Sequence, residues 1–218
     1  NNPAGRNPAA DPHRDPIRSR WNEGQQQWYS LNNVPIGHVG SMSELFMGEP
    51  YFNEELNNWN TSSVTDMSSM FEGATAFNGY LNSWDTSRVI DMSNMFNGAI
   101  AFNRDISNWK TGSVRSMNPM FLGATAFNGD INNWVTSKVV NMNYMFNNAT
   151  VFNKPLNKWN VEQVLYMEGM FLNARDFVQD LSNWRVGDHV YVSCFTKVPP
   201  ITAVARQNGV TMYHIRDA

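Results

Sequence analysis

The side chains best suited to chemistry in this sequence are four histidines, one cysteine and a recurring set of acids. His13, His38, His189 and His214 are scattered, and no two of them have the spacing of paired metal ligands. Cys194 has no partner cysteine, so neither an internal disulfide nor a cysteine-based zinc site can form, and a lone thiol is compatible with every compartment. Glu55, Asp105, Asp130 and Asp180 share one place in a repeating pattern, which invites a calcium reading. Tyr80 and Pro155 interrupt that row, and the EF-hand loop pattern is absent. No G-x-S-x-G, G-x-G-x-x-G or P-loop occurs. The expectation is therefore a protein with no catalytic residues, no metal and no cofactor. The alternative is an enzyme with a cleft near the carboxyl-terminal end, using His189, His214 and nearby acids, and only the residue types speak for it.

The elements that would have to position these groups belong to a repeat. Trp59, Trp84, Trp109, Trp134, Trp159 and Trp184 follow one another at a constant interval of 25 residues. Within one unit, Leu56, Trp59, Thr61 and Val64 give an L-x-x-W-x-T-x-x-V rhythm, which predicts a short strand with Trp59 and Thr61 inward and Asn58 and Asn60 outward. Met67, Met70, Phe71 and Ala74 then take the spacing of one helix face, predicting a helix of about two turns. Asp66, with Asp91, Ser116 and Asn141 in later copies, is placed to cap its start. Gly73, Gly98, Gly123, Asn148 and Asn173 are the residues that enter the left-handed region most easily and are placed to stop it. Phe77 and its copies close each unit, and the asparagine after each is expected to bond coil to coil as a structural ladder.

One unit buries too little to offset the entropy of ordering it, so units must stack. The fold class expected is α/β: a leucine-rich-repeat-like solenoid of about seven 25-residue strand-helix coils over residues 31–199. Both end copies are degenerate, with Val34 in the tryptophan place of the first. Residues 21–30 would form an N-terminal cap. Residues 200–218 would form a C-terminal cap, a short helix, an Asn208-Gly209 turn and a final strand.

Residues 1–20 carry Pro3, Pro8, Pro12 and Pro16 with almost no apolar side chains, which predicts an extended arm. Arg6, Arg14, Arg18 and Arg20 make it locally basic, leaving 12 basic and 17 acidic residues in the remaining chain. The formal charge of −3 gives no footprint for nucleic acid. No apolar run is long enough to cross a membrane. The chain begins Asn1-Asn2-Pro3 without an initiator methionine, the pattern of a processed or truncated chain.

The succession W-x-T-S-x-V, M-x-x-M-F-x-G-A and F-N, most fully written in Trp84-Asp85-Thr86-Ser87-Arg88-Val89-Ile90-Asp91-Met92-Ser93-Asn94-Met95-Phe96, resembles the BspA-like leucine-rich-repeat surface proteins. The match covers residues 31 to roughly 195. The resemblance implies a non-catalytic solenoid displayed at a cell surface or outside the cell, used for adhesion or protein binding. It has no catalytic residues to carry over, and the arm and the C-terminal cap depart from its pattern. A second placement is an organelle, as a peripheral accessory subunit docked into a larger assembly through the arm.

Recognition is expected where the repeat varies. The row after each tryptophan is diverse: Asn60, Asp85, Lys110, Val135, Asn160 and Arg185. One place after the repeat valine stand the aliphatics Ile90, Val140 and Leu165, and exposed aliphatics in a row favour a protein partner. With Arg6, Arg14, Arg18 and Arg20 of the arm, these are the candidate partner-binding residues, for one or more proteins or a multi-subunit complex. Thr61, Thr86, Thr111 and Thr136 suggest an ice-binding row, but Val161 and Val186 take the same place, as inward β-branched residues do. Asn60-Thr61-Ser62 and Asn148-Ala149-Thr150 are glycosylation sequons, the second more simply explained by the stop at Asn148.

Overall fold

The computed structural model describes residues 31–187 and 190, with the short segments 21–22 and 27–28. Trp21–Asn22 (β1) and Gln27–Trp28 (β2) pair antiparallel, and Leu31–Asn33 forms a turn of 3-10 helix. The arm with Arg6, Arg14, Arg18 and Arg20 lies outside the described residues, as do His13, His189, Cys194, His214 and the cap at 200–218. From Leu31 the chain winds in coils stacked one period apart. Single parallel bridges join Ser41, Asp66, Asp91, Ser116, Asn141 and Tyr166 in series.

The expected α/β solenoid of strand-helix coils is corrected by how these coils are built. Among the described residues there is no α-helix, and the only strands are β1 and β2. Met67, Met70, Phe71 and Ala74 do point inward, each 0% exposed, as a helix face would. The backbone between them is left-handed at Ser69, with φ 55°, and the same place is left-handed at Glu44, Asn94, Tyr144 and Gly169. A left-handed residue in mid-segment stops a right-handed helix from propagating. Alternate amides leave the coil instead: Met67, Ser69, Phe71 and Gly73 donate to the carbonyls of Asp91, Ser93, Met95 and Asn97 at 2.7–3.0 Å. Pro119 stands at the corresponding position of its own coil without a left-handed φ, and it has no amide, so one rung is missing there.

Asp66 is accordingly no helix cap. Its Oδ1 accepts the Ser68 amide at 2.9 Å and the Ser68 hydroxyl at 2.7 Å, an Asx turn repeated by Asp91 with Ser93. The residues expected to stop a helix do enter the left-handed region, although no helix precedes them: φ is 70° at Gly73 and Gly98, 57° at Asn148 and 60° at Asn173.

The strand half of the unit keeps the expected facing but not the expected bonding. Trp59 and Thr61 are buried while Asn58 and Asn60 are exposed. Here side chains join the coils. The indoles of Trp59, Trp84, Trp109, Trp134, Trp159 and Trp184 donate to the carbonyls of Leu31, Leu56, Leu81, Ile106, Ile131 and Leu156 at 2.7–3.1 Å. Thr61, Thr111 and Thr136 donate their hydroxyls to the carbonyls of Asp85, Val135 and Asn160 at 2.8–3.0 Å. Both residue types are inward-facing and carry a donor, which neither Leu nor Val does. The threonine row is thus core.

Thr86 breaks this series: its hydroxyl is buried with no hydrogen-bond partner. The pair gives a test of opposite signs. Thr111→Val should cost about 1–2 kcal/mol in urea unfolding, because the bond to the Val135 carbonyl is lost, whereas Thr86→Val should be neutral or stabilising by up to about 1 kcal/mol. Equal losses in both variants would refute this division of the row.

Three aromatic ladders fill the interior. Trp59, Trp84, Trp109 and Trp134 stack at 6.1–6.4 Å with planes within 4°. Phe71, Phe96, Phe121 and Phe146 follow at 5.6–5.7 Å, and Phe77, Phe102, Phe127 and Phe152 at 5.8–6.0 Å. Within each coil the two phenylalanine rings lie face to face, Phe71 on Phe77 at 3.9 Å. The asparagine ladder also forms: Oδ1 of Asn53, Asn78, Asn103, Asn128 and Asn153 accepts the amide 25 residues on, at 2.8–3.1 Å. Among the described residues the first coil departs in its tryptophan place. Val34, in the tryptophan place, is 37% exposed, and Ile36 points inward instead.

Candidate binding face

With the interior committed to stacking, the outward rows remain. In the row after the tryptophans, Asn60, Lys110, Val135, Asn160 and Arg185 are exposed and Asp85 is half-buried. The row is not uniform in role. Oδ1 of Asn60, Asp85 and Asn160 accepts the amide two residues on, from Ser62, Ser87 and Glu162, at 2.9–3.2 Å. These three shape the corner of the coil. Lys110, Val135 and Arg185 have no such turn to hold, and Val135 is 52% exposed. That division was readable from the residue types, since Asn and Asp favour such turns whereas Lys, Val and Arg do not.

The aliphatic row is held by the backbone. The amides of Thr65, Ile90, Arg115, Val140 and Leu165 donate to the carbonyls of Gly40, Thr65, Ile90, Arg115 and Val140, at 2.7–2.8 Å. The side chains of this row therefore stand at fixed intervals on the outside. Ile90 is 46% and Leu165 42% exposed, Val140 is half-buried, and the exposed Arg115 stands between Ile90 and Val140. Tyr166, beside Leu165, is 41% exposed.

Several exposed apolar residues lie outside both rows, among them Tyr51, Ile100 and Val178. Periodicity did not single them out, because each replaces Ala, Thr or Asn in its column. Tyr80 is partly covered: the Arg104 guanidinium carbon lies 4.2 Å from its ring centroid, and Arg104 Nη1 donates to its hydroxyl at 3.1 Å.

The aspartates act as turn acceptors, and Glu55 instead bonds to the next coil. Ser107 holds the Asp105 carboxyl below the ordinary aspartate value through its hydroxyl and then its amide, and Ser87 does the same for Asp85, with Lys110 adding a smaller pull. The Ser182 amide, followed by its hydroxyl, lowers Asp180. Asp130 accepts the Asn132 amide at 3.0 Å, and Glu55 accepts the Tyr80 amide at 3.3 Å. Among the described residues no three His, Cys, Asp or Glu side chains are grouped to hold a metal ion, and no helix is long and apolar enough to cross a membrane. His38 is exposed on the first coil.

A stack of coils with an aromatic interior and variable outer rows defines a repeat protein. Its family follows from the sequence over most of its length: residues 19–129 and 102–198 match the family described as Mycoplasma protein of unknown function, DUF285, and the chain belongs to it. No curated protein and no solved structure matches the chain.

Proposed function

We propose that the protein is a non-enzymatic protein-binding module displayed at a cell surface. The observation that carries this reading is the aliphatic row: Ile90 and Leu165 remain 46% and 42% exposed where the inter-coil backbone bonds fix their spacing. Apolar side chains ordered by a rigid frame and edged by charge suit a protein partner. Lys110, Val135 and Arg185 offer a second exposed row of residues that the turns do not require. The resemblance to BspA-like surface proteins supports display and adhesion.

The test is a variant with Ile90→Asp, Val135→Asp and Leu165→Asp together. All three positions are exposed, so each substitution should cost about 0.5 kcal/mol or less and the melting temperature should stay within a few degrees. Binding of the purified protein to intact cells, or to a partner captured by crosslinking on them, should fall at least about tenfold, a loss of 1.4 kcal/mol. Unchanged binding by a folded triple variant would remove the face from the proposal.

A further inference from the structure

The sequon Asn60-Thr61-Ser62 is left unused by the binding reading, and the structure gives it a definite geometry. Asn60 is exposed at a corner of its coil. Ser62 donates both its hydroxyl, at 2.7 Å, and its amide, at 3.2 Å, to Asn60 Oδ1. Two donors on the carboxamide oxygen draw electron density from the amide and make the Nδ2 protons more acidic, which is what that nitrogen needs to act as a nucleophile. No side chain crowds this nitrogen from Gly37, where a Cβ would come within 3.2 Å of Nδ2. Beside it opens a cleft of about 410 Å³ lined by Asn33, Val34, Pro35 and Asn58, amides and aliphatics without a formal charge. A neutral sugar has room there, with hydroxyls toward the amides and ring carbons toward Val34 and Pro35.

The second sequon contrasts with this. Asn148 is already tied on both sides, its Nδ2 donating to Asn147 Oδ1 at 2.7 Å and its Oδ1 accepting from Asn173 Nδ2 at 3.0 Å. Asn148 also occupies the left-handed stop, φ 57°. A sugar on its nitrogen would have to be accommodated within that coil-to-coil contact.

We propose that Asn60 is an N-glycan acceptor and that its first sugar lies over the neighbouring cleft of the first coil. In the transfer, Asn60 Nδ2 attacks the anomeric carbon of a lipid-diphosphate-linked sugar. The new C–N bond replaces the C–O bond to the diphosphate, which leaves with the bonding pair, and the proton from Nδ2 passes to a base of the transferase. The proposal rests on the surface reading in one respect: the chain must traverse a glycosylating lumen.

The full chain is expressed behind a secretory leader in a eukaryotic host, and peptide mass spectrometry follows treatment with peptide N-glycosidase in heavy-oxygen water. Isotope-labelled Asp is expected at position 60. Asn60→Gln and Ser62→Ala should each lose that label, Ser62→Thr should keep it, and Asn148→Gln should leave it unchanged. A secreted, folded product with unlabelled Asn60 overturns the assignment. A label at Asn60 that survives Ser62→Ala also overturns it, since the hydroxyl would then have no part. The surface reading fails separately: protection of the native protein from protease added to intact source cells would refute display while leaving the acceptor result in place.

Discussion

Replacing Trp109 by alanine is expected to destabilise the protein by about 3–5 kcal/mol, the range for removing a large aromatic from a core. Trp109 is 3% exposed and lies between Trp84 at 6.4 Å and Trp134 at 6.1 Å, so the void would open between two stacked indoles that cannot close on one another without shortening the coil spacing. The same substitution removes one of two hydrogen bonds to the Leu81 carbonyl, which accepts the Trp109 indole at 3.1 Å and keeps the Trp84 amide at 3.2 Å. Trp109→Phe separates the two effects. It retains a ring in the ladder and loses the donor, and should cost about 1–3 kcal/mol. Urea midpoints at constant m measure both. If Trp109→Ala lost less than about 1 kcal/mol, the indole ladder would not be what joins this side of the coils.

The second large effect concerns register. Removing Met92–Ser116, one full period of 25 residues, joins Asp91 to Met117 and places the segment Met117-Asn118-Pro119-Met120-Phe121 where Met92-Ser93-Asn94-Met95-Phe96 stood. Every ladder then meets its own residue type again. This shortened chain should unfold cooperatively, with a smaller m-value because less surface is buried. Removing residues 92–115 instead leaves Ser116 as one extra residue in the segment whose alternate amides bond to the next coil. The shift turns Met117, Met120 and Phe121 out of line with their neighbours in both directions. We expect that variant to be less stable than the full-period deletion by at least about 3 kcal/mol, or to show no cooperative transition. Equal stability of the two deletions would show that the coils slide freely, contrary to the ladders observed.

These two results also measure how much of the molecule could be read from its residues. The inward set was legible, because a side chain that recurs every 25 residues as Trp, Met or Phe has to be buried in every copy or in none. The left-handed stop at Gly73 was legible from the exchange of Gly for Asn, and the asparagine ladder from Asn78, Asn103, Asn128 and Asn153 falling in one column. Of the candidate face, the outward direction of Asn60, Lys110, Val135 and Arg185 followed from alternation around the tryptophan. The Asx-turn role of Asn60, Asp85 and Asn160 was present in the residue types but hidden by reading the row as a single surface.

The sequence by itself determined the period, the membership of the interior and the outward rows, since burial depends on side-chain type and spacing. It did not determine where the backbone amides of Met67, Ser69, Phe71 and Gly73 would bond. Spacing of i, i+3, i+4 and i+7 brings Met67, Met70, Phe71 and Ala74 to one side in a helix, and a turn-rich segment with Ser69 left-handed buries the same four. Both arrangements satisfy the amides. Only the tertiary structure decides between them, because the carbonyls of Asp91, Ser93, Met95 and Asn97 become available as acceptors only once the next coil is in place.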